Sequence, residues 1–91
     1  MTFIVTRHSA VKSPADVLSL LGDHMPARRG DVLFSKRGNQ IQARLDRETS
    51  TWMTQHERIE IGREAVIEAV GEICERSPHL KLDWFAVSPA R

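Results

Sequence analysis

The stretch from Gly62 to Arg76 constrains this chain more than any other, because its side chains sort by helical angle. At 100° per residue Val66, Ile67, Val70, Ile73 and Cys74 fall on one arc, with Ala69 at its edge. Glu64, Glu68, Glu72 and Glu75 fall together on the opposite side. The spacing predicts an amphipathic helix of roughly 22 Å, enough to cover one face of a small sheet. Its apolar arc needs a partner surface, and the alternating segments upstream can supply one.

Those segments read in order. Thr2 to Arg7 is β-rich and apolar on both faces (Phe3 and Val5 on one, Ile4 on the other), which predicts a central strand. Ser13-Pro14-Ala15-Asp16 resembles a helix start, with Ser13 as cap, Pro14 in first place and Asp16 as the capping-box acid. Val17, Leu18, Leu20 and Leu21 supply that short helix's apolar face, and Gly22 is placed to end it. Met25 to Gly30 reads as a connection. Asp31 to Asp46 reads as a β-hairpin: Ile41, Ala43 and Leu45 alternate with Gln40, Gln42, Arg44 and Asp46, and Gly38-Asn39 suits the tight turn.

Residues 47–61 carry competing signals. Thr54-Gln55-His56-Glu57 fits a capping box, whereas Arg58-Ile59-Glu60-Ile61 alternates as a strand does. Ile61 would land on the acidic side of a helix, so a strand ending near Ile61 is the expectation. Ser77-Pro78 closes the long helix, and Leu80 to Val87 reads as the last strand, flanked by Ser88-Pro89. The order β-α-β-β-(β)-α-β predicts a two-layer α+β domain, a mostly antiparallel sheet with two helices on one face. The ferredoxin-like split β-α-β arrangement is the leading topology.

Ninety-one residues fit one domain, residues 1–91, with one core and no deep pocket for a small molecule. Net charge is +1, but its distribution is uneven. Residues 1–47 hold eight Lys/Arg against four Asp, a balance of +4; residues 48–91 hold five against eight acids, a balance of −3. Cys74 is the single cysteine, which excludes an internal disulfide and a cysteine-based metal cluster. No apolar run approaches the ~18 residues of a membrane span, so a cytoplasmic protein with no membrane partner is the expectation.

Two charged features compete for function. Glu64, Glu68, Glu72 and Glu75 form a ridge in which i,i+4 repulsion costs about 0.2–0.5 kcal/mol per pair, and only Glu72–Arg76 offsets it within the helix. The ridge is either a solvated face neutralised by the chain's own basic half or a docking surface for a basic protein partner. Arg28, Arg29, Lys36, Arg37 and Arg44 around the hairpin form the alternative, a grip on nucleic-acid phosphates. Against it stand the scarcity of aromatics for base stacking and a pI of about 8.0.

No chemistry declares itself. His8, His24, His56 and His79 never occur at i,i+3 or i,i+4 spacing, and Cys74 lies on the apolar arc. Ser9, Ser13 and Ser35 lack a nucleophile-elbow context. No catalytic, metal or cofactor site is assigned, and an enzyme whose site is assembled only by folding is the third reading. Trp52 and Trp84 read as core staples, and either one, if exposed, reads as an interface anchor.

The acid-lined last helix followed by Asp83-Trp84-Phe85 resembles the small DNA-damage-inducible (DinI-like) modulators of RecA filaments. The likeness covers the last third of the chain. The chain departs from it by extra residues between hairpin and helix and by the segment Pro78 to Lys81. What the resemblance implies is an acidic docking helix. The charge map, together with the lack of a catalytic motif, sets the expectation: a small non-enzymatic regulatory protein that binds another protein through the acidic face of the 62–76 helix, with nucleic acid as the alternative partner and a homodimer compatible with both.

Overall fold

A computed structural model describes residues 1–38, 40–46 and 52–90. Its elements are β1 (Thr2–Arg7), α1 (Val17–His24), β2 (Arg28–Arg29), β3 (Val32–Arg37), β4 (Gln40–Leu45), α2 (Gln55–Glu75), a 3-10 turn (Leu82–Trp84) and β5 (Phe85–Pro89). Every strand pairs antiparallel, in the order β2-β3-β4-β1-β5. Without the two-residue β2, this is the order of two interleaved split β-α-β units, so the predicted α+β class holds.

β1 is central, as its two apolar faces predict. Phe3 pairs with Ala43 of β4 and Pro89 of β5, and Phe3 and Val5 are fully buried. The hairpin register sets Val32 opposite Leu45 and Phe34 opposite Ala43, which sends those four and Ile41 to the same side. Val17 and Leu21 of α1 and Val66, Ala69, Val70, Ile73 and Cys74 of α2 complete one hydrophobic cluster on that side. Both helices therefore cover one face of the sheet, and among the described residues no helix covers the other. Gly38 turns the hairpin at φ 58°; Asn39 lies outside the described residues.

Several expected element boundaries need correction. Residues 55–61 are helix, not strand, and α2 starts seven residues early. The capping box decides it: Glu57 donates its backbone N–H to Thr54 Oγ1 at 3.1 Å, and Thr54 donates its own to Glu57 Oε2 at 3.4 Å. From that nucleus each residue adds one backbone bond, while Ile59 reaches the core and Ile61 stays half-buried beside the acids. The part of the expected strand before Trp52 lies outside the described residues.

α1 starts at Val17, not Pro14, because Ser13 is occupied elsewhere. Arg7 donates to Ser13 Oγ at 2.8 Å and to its carbonyl at 2.6 Å. The helix passes Gly22 and ends where Met25, held extended ahead of Pro26, leaves helical space. Arg28-Arg29 is not mere connection but a short edge strand on β3, turned by Gly30 at φ 59°.

The last strand starts at Phe85 rather than Leu80. Leu80 is buried on a turn closed by its N–H to Ser77 O at 2.9 Å, and a 3-10 turn follows. Pro89, expected to flank the strand, is part of it. Ala90 N–H donates to Thr2 O, so at the neighbouring Phe3–Pro89 pair the backbone groups of Pro89 point away from β1. On an edge strand its missing N–H costs no ladder bond. The outward carbonyl of Val87 accepts from Arg63 Nε at 2.9 Å, which further blunts this edge against strand addition.

Candidate functional site

Lengthening α2 lengthens its acidic side. At 100° per residue Glu57 and Glu60 join Glu64, Glu68, Glu72 and Glu75 within about a third of the helix circumference. The buried residues Gly62, Val66, Ala69, Val70 and Ile73 are centred on the opposite side, so the carboxylates point straight out of the helix layer. Glu57 to Glu75 spans roughly 27 Å at 1.5 Å per residue. Sequence reasoning missed Glu57 and Glu60 because it began the helix late; the signal was Thr54-x-x-Glu57.

Self-neutralisation reaches little of this ridge. Arg29 Nε donates to Glu72 Oε2 at 2.5 Å, taking the place expected for Arg76. Glu57 is engaged in the cap. Glu60, Glu64, Glu68 and Glu75 are exposed, and no salt bridge among the described residues reaches them.

The five basic candidates do not form one patch. Strand alternation divides them, since cross-strand partners share a face. Arg29 sits opposite Val32 and Lys36 opposite Ile41, on the helix side, and Lys36 Nζ lies 3.5 Å from Asp23. Arg28, Arg37 and Arg44 sit opposite Leu33, Gln40 and Leu33 respectively, on the bare face. There Arg28 is held by Asp46 at 2.5 Å, which leaves Arg37 and Arg44 exposed and without an ion pair among the described residues. Negative charge thus faces out from the helix layer and positive charge from the sheet layer.

The two tryptophans part company. Trp84 is half-buried, with Lys81 Nζ 5.8 Å from its ring centroid. Trp52, two residues ahead of the α2 cap, is 84% exposed. Its reading as a core staple is corrected: no cavity of this fold receives it, and burial of an isolated aromatic depends on what packs there rather than on any local sequence signal.

The remaining polar groups line open clefts. An open cleft of about 400 Å³ between α1 and the hairpin is lined by Asp16, Ser19, Lys36 and Gln40, and among the described residues no hydrogen bond joins Ser19 to a base. A second, of about 330 Å³, gathers His24, Arg28, Arg29, Glu72, Arg76 and Ser77, and among the described residues no side-chain hydrogen bond joins Ser77 to His24. Among the described residues no three metal-ligating side chains converge, and no helix is long and apolar enough to cross a membrane.

Cys74 is buried on α2, and that burial pushes its thiol above the ordinary value by desolvation. Native protein is therefore expected to react slowly with a thiol reagent and denatured protein fast. Equal rates in the two states would place Cys74 outside the core.

Compared with known proteins, the chain matches no protein-family model, no curated protein and no solved structure. The resemblance in the last third therefore gains no family from them, and function is argued from the charge geometry alone.

Proposed function

We propose that this is a non-enzymatic interaction protein that docks a basic protein partner on the outer face of α2. The observation that carries the reading is the run of exposed carboxylates, Glu60, Glu64, Glu68 and Glu75, that no salt bridge among the described residues reaches. Holding like charges along one helix face costs stability, and a cationic partner relieves that cost while steering association. Trp52 beside the N-terminal end of α2 offers the apolar anchor that a purely ionic contact lacks. Nucleic-acid binding is the second reading, carried by Arg37 and Arg44 on the bare sheet face, where no aromatic accompanies them for stacking.

Three variants separate these readings: Glu64→Lys with Glu68→Lys, Trp52→Ala, and Arg37→Glu with Arg44→Glu. All three changes lie on exposed residues, and circular dichroism is expected to report unchanged folding. In affinity capture followed by crosslinking, the glutamate pair is expected to lose at least about tenfold in recovered partner, as buried charge pairs do when reversed. Trp52→Ala weakens the same partner, and the arginine pair retains it. Partner recovery indifferent to the glutamates overturns the reading. Loss of single-stranded DNA or RNA binding on the arginine pair alone, with a shallower salt dependence, transfers the function to the sheet.

A further inference from the structure

The sheet face that no described helix covers is complementary in charge to the ridge on the far side of the same molecule. Ile4, Leu33, Arg37, Gln40, Arg44 and Ala86 share that face by register. Ile4, Leu33 and Ala86 are only half-buried, and Asp46 at its margin is paired with Arg28. Arg37 and Arg44 lie on adjacent strands, four rows apart because Arg37 faces Gln40. That separates them by roughly 14 Å at 3.4 Å per row and 4.8 Å per strand. Along α2, Glu60 to Glu68 spans about 12 Å and Glu64 to Glu75 about 16 Å at 1.5 Å per residue.

We infer that the bare sheet face docks α2 of a second copy of this chain, so that molecules stack head to tail. The inference rests on the docking reading of α2 and names one partner for it. The two surfaces lie on opposite sides of the two layers, so the contact is heterologous and leaves an unused ridge at one end and an unused face at the other. A second copy is the partner whose charge is already matched: the backbone spacing of its ridge glutamates brackets that of the Arg37 and Arg44 positions. Net charge of +1 leaves almost no overall repulsion between copies. The area is small: the 25 residues of the five strands offer about 400 Å² per copy, or about 800 Å² in total, below a standard stable interface. Association is therefore weak and strongly salt-dependent.

Sedimentation of the purified full chain tests this at about 20 mM and about 300 mM NaCl, where the Debye length falls from roughly 20 Å to roughly 6 Å. Wild type is expected to rise with concentration to at least twice the monomer mass at low salt and to be monomeric at high salt. Glu64→Lys/Glu68→Lys and Arg37→Glu/Arg44→Glu are each expected to be monomeric alone. Mixing them restores association, because the intact ridge of one meets the intact face of the other. The quadruple variant, with both surfaces reversed, also regains it. Wild type that stays monomeric at low salt overturns the inference, as does association that survives either double variant or a mixture that stays monomeric. Nucleic-acid binding lost with the arginine pair, in a protein that remains monomeric, overturns it in favour of a polyanion on this face. Ridge-dependent capture of a different protein by a monomeric chain overturns the inference alone and leaves the docking reading standing.

Discussion

Leu45→Ala is expected to lower unfolding free energy by about 2–5 kcal/mol, while Gln42→Ala stays within about 0.5 kcal/mol. The contrast follows from the period of two. Leu45 lies opposite Val32 in the core, and Gln42 lies between Ser35 and Ile4 on the bare face. Truncating Leu45 removes apolar contact and leaves a void that neighbours on both flanking strands fill only in part. Truncating Gln42 removes a side chain that water already reaches. Urea unfolding of both variants measures the difference, with an unchanged denaturant slope expected because the unfolded surface hardly changes. Equal costs would mean a register shifted by one residue, which exchanges the faces of the whole strand.

What the sequence made legible was whatever repeats with a regular period. The α2 arc from Val66 to Cys74 and the alternation from Gln40 to Leu45 appear in the structure as read, and together they require two layers. Element starts were less legible because they turn on single hydrogen bonds. Thr54 and Glu57 satisfy each other locally, so their signal was present in the sequence but outweighed by the short alternation at Ile59 and Ile61. Ser13 is different: its partner, Arg7, comes from a strand, and no local pattern announces that tertiary bond.

The charge map was legible in its sums and misleading in its patches. Arg28-Arg29 and Lys36-Arg37 are adjacent in sequence, and each pair is split across the sheet by the pleat. A basic run on a strand is therefore two half-runs facing opposite ways. On α2 the helical period does the reverse and gathers acids scattered over nineteen positions, Glu57 to Glu75, onto one face. The same sequence polarity thus becomes a division between layers instead of between halves.

Gly62→Val is expected to be among the most damaging single changes in the chain, at or above the top of the ~1–3 kcal/mol range of overpacking. A Cβ at Gly62 would lie 2.7 Å from Phe3 Cζ, 2.8 Å from Phe3 Cε2 and 3.2 Å from Met1 Sδ. Phe3 cannot retreat, since it is fully buried between β4 and β5. Helix propensity argues the other way, because alanine is worth about 1 kcal/mol over glycine inside a helix. At Gly62 packing outweighs propensity, and Gly62→Ala is still expected to destabilise. Gly22, inside α1, isolates the propensity effect. Its Cβ would meet only the Lys36 side chain, Cε most closely, then Nζ at 3.0 Å and Cδ at 3.5 Å, the far end of an exposed side chain whose bridge to Asp23 is itself exposed. Lys36 swings aside at little loss, so Gly22→Ala is expected to gain about 0.5–1 kcal/mol. Combining Gly62→Ala with Phe3→Leu completes a double-mutant cycle, in which the smaller side chain is expected to recover part of the loss through a coupling of about 0.5–3 kcal/mol. Additive costs, or a Gly62→Ala variant as stable as Gly22→Ala, would mean that α2 does not approach β1 this closely.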